Sequence, residues 1–236
     1  MGLNKAKGNM YGFITHTWNP VKGKCGYCCS YCYVKRVAKR FGTEQSVPYF
    51  DEKALNALIN VRNGYVFVCS SIDLFHKDVP YEWIERVMGI TENNPAFDNR
   101  YLWHSKNPER VLEFQARFQE QDMLCVTIET NRHYELSKAP HPVKRFNALY
   151  RWDKPWMLTI EPILDFDKDD FIALIIATGN MPVQVNIGAD SGGNKLPEPP
   201  KEKVEELIEL LAPYTTIHLK KNLRRILPES RYYGIT

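Results

Sequence analysis

Apolar and polar positions in this chain repeat one pattern. A short apolar, β-branched or aromatic run ends in polar residues, and an amphipathic stretch follows. The strand-like runs cover residues 12–18, 65–71, 100–106, 124–130, 156–162, 183–190 and 215–221. Stretches with helical spacing cover 33–41, 51–61, 81–93, 108–119, 143–151, 168–178 and 201–211. Several helix starts carry their own signals. Pro80 precedes one helix, and Asn107-Pro108-Glu109 supplies an N-cap, a proline at the first helical position and an early acid. Pro199-Pro200 precedes the last helix, whose Val204, Leu207, Ile208 and Leu211 share one face. Alternating strands and helices predict a mainly parallel sheet with right-handed crossovers. The expected fold is α/β, a partial (β/α) barrel, with a doubly wound open sheet as the alternative. Residues 1–236 read as one domain, with 213–236 as a basic C-terminal strand and tail.

The strand ends carry chemistry. They finish in Thr15-His16-Thr17; Cys69-Ser70-Ser71 with Asp73; His104-Ser105-Lys106; Thr127 and Glu129; Thr159 and Glu161; Asn186, Asp190 and Ser191; and His218, Lys220 and Lys221. In barrels and open α/β sheets the carboxyl edge of the strands hosts the site. Strand ends also meet water, so one polar end means little; seven converging ends mean more. Glu129 stands out, because an acid closing an apolar strand is costly without a partner.

Bulk composition narrows the class. A chain of 236 residues with 44% hydrophobic and 25% charged positions has enough apolar sequence for a core and excludes long disorder. The net charge of +3 does not by itself indicate a polyanionic partner, so local clusters matter more. No apolar run approaches the ~20 residues of a membrane helix. Residues 1–9 hold Lys5 and Lys7 without an apolar stretch behind them, unlike a secretory signal. A cytoplasmic protein without membrane contact is expected.

Four of the six cysteines fall within eight residues: Cys25, Cys28, Cys29 and Cys32. Disulfide frameworks spread cysteines along a chain, whereas this crowding points to metal. Cys25, Cys29 and Cys32 have the spacing C-x3-C-x2-C. Three thiolates on a four-iron four-sulfur cluster leave one iron free to bind a small molecule. A structural zinc site and an electron-transfer cluster are the competing readings. Cys69 and Cys125, each within an apolar strand, read as packing residues.

The loop, with aromatic Tyr31 before its last cysteine and its place after the first strand, resembles the C-x3-C-x-aromatic-C motif of the radical S-adenosylmethionine (SAM) superfamily. Scattered segments resemble, more narrowly, a phage-associated radical SAM-like family. They are Thr17-Trp18-Asn19-Pro20, Asp73-Leu74-Phe75-His76, Asp78-Val79-Pro80, Lys106-Asn107-Pro108-Glu109-Arg110, Ile160-Glu161-Pro162 and Ile187-Gly188-Ala189-Asp190-Ser191-Gly192. Two departures are visible. Cys28 adds a fourth thiol that leaves the ligand set open. The glycine-rich segment expected after the second strand is replaced by Cys69-Ser70-Ser71-Ile72-Asp73.

The resemblance implies a partial barrel of the radical SAM type. It also implies reductive cleavage of SAM at a 4Fe-4S cluster on Cys25, Cys29 and Cys32, yielding a 5′-deoxyadenosyl radical. On that reading Ser70, Ser71 and Asp73 hold the methionyl amine, and Lys106 meets the carboxylate. Glu129 takes the ribose hydroxyls or the amine, and Glu161 with Gly188 frames ribose and adenine. His76, Asp190 and Lys220 are the catalytic candidates, with His16, His104 and His218 as further lining groups. Basic clusters at Lys35, Arg36, Lys39, Arg40 and at Lys220, Lys221, Arg224, Arg225, Arg231 suggest a phosphate-binding rim. With the phage resemblance they point to a modified nucleobase, nucleotide or DNA as substrate, and to the host cytoplasm. An electron donor such as flavodoxin or ferredoxin is implied. The alternatives are a radical SAM enzyme acting on a small molecule or peptide, and a non-enzymatic metal-binding protein.

Overall fold

Side-chain alternation along the strands sorts the chain into two faces and sets its architecture. The coordinates are a computed structural model and describe residues 2–7, 11–42, 47–93 and 98–228. In chain order the elements are β1 (Leu3–Lys5), β2 (His16–Trp18), β3 (Val21–Lys22), α1 (Tyr33–Phe41), β4 (Tyr49–Phe50), α2 (Glu52–Asn56), β5 (Tyr65–Val68) and α3 (Tyr81–Glu92). There follow β6 (Arg100–Ser105), α4 (Pro108–Leu112), β7 (Met123–Thr127), α5 (Pro142–Leu149), β8 (Trp156–Ile160), α6 (Lys168–Ile176), β9 (Gln184–Ile187), α7 (Lys201–Leu211) and β10 (Thr216–Leu219).

One sheet has the order β1-β2-β5-β6-β7-β8-β9-β10. Only β1 runs antiparallel to its neighbour; every later neighbouring pair is parallel. Helices carry the chain between successive parallel strands, as a βαβ unit requires. The sheet curls into a partial barrel without closing. A two-stranded ribbon of β3 and β4 stands apart from it.

The outward face is apolar. Val66, Val68, Tyr101, Trp103, Leu124, Val126, Leu158, Ile160, Val185 and Ile187 pack under the helices in the main core. The inward face changes character along the strands. Phe67, Leu102, Cys125 and Met157 form a small apolar cluster with Tyr11 and Ile14. The next inward layer is polar: Thr127 is registered with Thr159, Thr159 with Asn186, and Asn186 with His218. Two residues on, the same alternation brings Glu129, Glu161, Gly188 and Lys220 to the carboxyl edge.

Strands β1, β3 and β4 lie outside the runs expected from the sequence, and three of the expected stretches differ in detail. Run 12–18 yields strand only from His16. Tyr11 and Ile14 turn inward and plug the barrel floor at 5% and 6% exposure. Stretch 108–119 breaks after α4 into a 3₁₀ turn at Gln115–Arg117. This lets Phe114 stack on Tyr81 at 4.7 Å while Phe118 meets Trp152 at 4.9 Å. Stretch 51–61 likewise ends its α-helix at Asn56 and continues as 3₁₀ turn Ala57–Asn60; Asp51 caps its start by accepting from the Ala54 N–H at 2.9 Å.

Candidate functional site: a thiol-lined hollow at the strand ends

The cysteine loop consists of two successive turns. The Cys28 N–H donates to the Cys25 carbonyl at 3.3 Å, and the Cys32 N–H donates to the Cys29 carbonyl at 3.2 Å. Cys32 is the N-cap residue of α1. Cys25, Cys28, Cys29 and Cys32, with Val34, Lys35 and Ser71, line an open hollow of about 280 Å³. All six cysteines are free thiols. Among the described residues, no three His, Cys, Asp or Glu side chains converge to hold a single metal ion. Burial, with Asp73 adding to it, pushes the Cys25 thiol up to about 11, and burial also raises Cys29. A cation in the hollow reverses that preference, because thiolates bind metal and thiols do not.

The loop is braced from below and from one side. A Cβ added to Gly26 would stand 2.1 Å from His76 Cε1. His76 is 2% exposed, its ring lies 4.3 Å from that of Tyr27, and its Nδ1 accepts from the Asp78 N–H at 3.1 Å. Arg110 donates to the carbonyls of His76 and Val79. The segment after β7 is annealed to the loop: Ser30 N–H donates to Leu136 at 2.8 Å, and Lys138 N–H to Tyr27 at 2.7 Å. His76 therefore stands under the loop, among its supports.

Beside the hollow lies a buried ionic centre. Glu129, 4% exposed, accepts from the Tyr31 hydroxyl and from Lys106 through Oε1, and from Arg145 through Oε2 at 2.8 Å. Arg145 also donates to the carbonyls of Thr127 at 2.8 Å and Pro140 at 2.7 Å. Burial opposes the carboxylate, yet Lys106 and Arg145 outweigh it and hold Glu129 well below the usual carboxylate range. The partner that the sequence demanded for Glu129 is thus a threefold one. Tyr31, Glu129, Arg145, His133, His141 and Leu164 are among the residues lining a second cavity of about 350 Å³.

The remaining inward groups stand across the mouth. Lys220, 4% exposed, is 3.7 Å from Glu161 and 4.1 Å from the centre of the Tyr11 ring. Glu161 accepts from Asn222 at 2.7 Å and presses on Gly188, where an added Cβ would meet its Cδ at 2.7 Å. His104 is bonded to Thr127 at 2.6 Å, and burial, reinforced by Lys106 and Lys220, brings it down to about 3. His218 shares the Asn186 register, whereas His16 lies at the opposite end of its strand beside Lys5.

Other candidates organise loops. Asp73 accepts from Ser105 Oγ at 2.9 Å, Lys106 N–H at 2.7 Å and Phe75 N–H at 3.0 Å, tying the β5 exit to the β6 end. Ser70 and Ser71 both donate to Asn19 Oδ1, at 3.3 and 3.0 Å. Asp190 accepts from Gly192 N–H at 2.9 Å and Asn194 Nδ2 at 2.6 Å within its own turn. Among the basic residues, Arg231 lies outside the described residues. Arg145, Tyr11 and Asn222 enter the site without having been singled out in the sequence, and Asn19 figures there only within the segment Thr17-Trp18-Asn19-Pro20. For Arg145 the only signal is its place in a helical stretch, where an arginine ordinarily faces water.

Residues 10–197 match the family described as "Protein of unknown function (DUF5131)". The chain belongs to this family. No curated protein sequence matches this DUF5131 chain significantly. Its fold is similar to that of a spore photoproduct lyase mutant bound to AdoMet and dinucleoside spore photoproduct. The TM-score is 0.61 at 8% identity, covering 90% of this chain and 78% of that one. It is also similar to Streptococcus suis SuiB bound to its precursor peptide SuiA, with TM-score 0.59, 11% identity and coverage of 90% and 50%. SuiB bound to S-adenosylmethionine gives 0.56 at 12% identity, covering 89% and 52%. This chain therefore spans about half the length of SuiB. These likenesses establish the fold as a partial barrel of the radical SAM type.

Proposed function

We propose that this DUF5131 chain is a radical SAM enzyme whose cluster is held by Cys25, Cys29 and Cys32. The observation that carries the reading is the ring of thiols around one hollow at the carboxyl edge of a radical SAM-type barrel. When bound there, a 4Fe-4S cluster supplies the electron that splits the sulfonium bond of SAM; flavodoxin or ferredoxin is the class of donor that refills it. The residues present fit that group: soft donors on a short loop that line one open hollow, with Ser71 and Lys35 at its rim.

Glu129 and Lys106 offer one anion and one cation within reach of the hollow, matching a zwitterionic methionyl group. Tyr31 links that pair to the cluster loop. Ser71 lines the same rim, Ser70 shares its Asn19 partner, and Asp73 acts chiefly by fixing the Lys106 backbone. Glu161, pressed on Gly188 and paired with Lys220, is the candidate for the ribose and adenine side. His76 and Asp190 serve through the loops they brace.

A nucleotide or nucleic acid is the favoured substrate class. Helix α1 begins at the hollow, contains no buried residue, and carries Lys35, Arg36, Lys39 and Arg40 beside exposed Tyr33 and Phe41. Cations interleaved with exposed rings suit a phosphate backbone and stacked bases. Spore photoproduct lyase, whose fold is shared, carries a dinucleoside lesion in its structure. A peptide substrate, as in SuiB, is the second reading. No helix among the described residues is long and apolar enough to cross a membrane.

The test is anaerobic. After reconstitution with iron and sulfide, reduction and addition of SAM, 5′-deoxyadenosine is expected, and it vanishes in Cys25→Ala, Cys29→Ala and Cys32→Ala variants. Zinc in place of iron, with no cleavage, rejects the reading. Salt-sensitive binding of a labelled oligonucleotide, lost when Arg36, Lys39 and Arg40 become alanine, tests the substrate class.

A further inference from the structure

Four thiols ring the hollow, while three suffice for a cluster that binds its co-substrate on an open iron. We propose that Cys28 is a fourth, displaceable ligand: it closes the remaining iron in the resting protein and yields it to SAM. The inference rests on the preceding reading that a cluster and SAM bind here. Three observations on Cys28 itself carry it.

Two back-to-back Cys-x-x-Cys turns, each closed by one backbone hydrogen bond, aim two thiols apiece at a single space. Within the first turn Cys28 has φ of 51°, the left-handed region that disfavours any residue with a Cβ. Glycine or asparagine relieves that strain, yet a thiol is present. Among the described residues the thiol gains little from protein contacts: it is half-buried and donates a long bond, 3.8 Å, to the Cys25 carbonyl. Cys69 shares the left-handed φ, at 53°, but it and Cys125 are enclosed in the cores, so it is the place of Cys28 on the hollow that sets it apart. A side chain held in a strained position, on the cluster hollow and next to water, is placed to bind metal and to leave it.

The exchange balances without an oxidant. The iron–sulfur bond to Cys28 breaks, and the iron gains the amine nitrogen and carboxylate oxygen of SAM. The proton released by the SAM ammonium passes to the departing thiolate, so Cys28 ends as a thiol. No electron moves. The exchange keeps solvent and oxidants off the reactive iron until co-substrate arrives.

The experiment uses the reconstituted 236-residue chain under argon. Iodoacetamide labelling read by mass spectrometry should leave Cys25, Cys28, Cys29 and Cys32 protected, and addition of SAM should expose Cys28 alone. Separately, mild ferricyanide oxidation should give the paramagnetic three-iron cluster readily in Cys28→Ala and at least several-fold less in the unaltered protein, measured by low-temperature EPR. Labelling of Cys28 that is equally fast without SAM, continued protection of Cys28 with SAM bound, or equal loss of the fourth iron from both proteins would overturn the proposal. Failure of the underlying reading looks different: the protein then takes up no iron–sulfur cluster, and all four loop cysteines label together.

Discussion

Replacement of Arg145 by methionine isolates the buried ionic centre. The guanidinium is 3% exposed and makes three hydrogen bonds: to Glu129 Oε2 at 2.8 Å and to the Thr127 and Pro140 carbonyls at 2.8 and 2.7 Å. Methionine fills similar volume but leaves one carboxylate oxygen and two carbonyls without that donor. Breaking a buried pair by removing one partner costs about 3–5 kcal/mol, largely because the surviving charge stays desolvated. Here Lys106 and Tyr31 still engage Oε1, which places the expected loss near the lower bound, about 3 kcal/mol. Urea denaturation followed by far-UV circular dichroism reads it as a shifted midpoint at unchanged slope. Adding Glu129→Gln removes the stranded charge, so the double variant should be at least about 1 kcal/mol more stable than the sum of the singles. The pH dependence has a definite sign. Glu129 is depressed in the native state, so its contribution is present above the unfolded carboxylate range and declines as pH falls through the native value. The difference between the unaltered protein and Arg145→Met should therefore narrow in acid. A loss under about 1 kcal/mol at neutral pH, or strict additivity of the two substitutions, would refute the assignment of Arg145 as the anchor of Glu129.

Three further outcomes follow from close contacts and burial. Gly188→Ala brings a Cβ within 2.7 Å of Glu161 Cδ, so Glu161 must swing off Asn222; the expected cost is about 1–3 kcal/mol by thermal unfolding. Gly26→Ala drives a Cβ to 2.1 Å from the His76 ring, so the iron content after reconstitution should fall sharply, and the Gly26→Ala/His76→Ala pair should recover part of it. Asp122 is 3% exposed, and burial raises it to about 6, against hydrogen bonds from Gln119 N–H and Trp103 Nε1. A carboxyl raised in the native state lowers stability as pH climbs from about 4 to 6. Asp122→Asn should thus be more stable than the parent by about 1–3 kcal/mol at pH 7, with the gain gone below about pH 4; a pH-independent difference in urea midpoints would contradict this.

The (β/α) order was legible because it rests on periodicity, and each parallel strand after β2 falls on an apolar run, β7 starting one residue ahead of its own. The cysteine spacing was equally visible, being local in sequence. What escaped were features set by long-range geometry. Strand β1 has only three residues, Leu3–Lys5, two of them exposed, so it offers no apolar alternation. Tyr11 lies just before the first strand-like run, yet it turns into the barrel floor to bond Thr159 at 2.7 Å, 148 positions away in sequence. Glu129 was identifiable as an acid needing a partner, yet which cations answer it depends on how α5 packs behind β7. Asp73 shows the converse: its sequence position suits a ligand contact, while its oxygens bind Ser105, Lys106 and Phe75 around the adjacent turn.

The gradient along the inward face explains why chemistry belongs at one end of this barrel. Near the floor, Phe67, Leu102, Met157 and the inserted Tyr11 and Ile14 shut out water. One layer up, His104 and Thr127 are mutually bonded, and burial keeps the imidazole neutral. At the edge, two acids stand in compensated sets: Glu129 with Lys106 and Arg145, and Glu161 with Lys220 and Asn222. Charges held by fixed partners in a low-dielectric wall need no rearrangement when a charged ligand arrives, which is the condition for orienting one strongly. The thiol hollow opens beside the first set, with Tyr31 belonging to both the cysteine loop and the Glu129 centre. A ligand that loads the hollow and meets Lys106 or Glu129 must therefore alter the hydrogen bonding of Tyr31, making Tyr31→Phe the substitution that separates cluster assembly, which it should spare, from SAM affinity, which it should weaken several-fold.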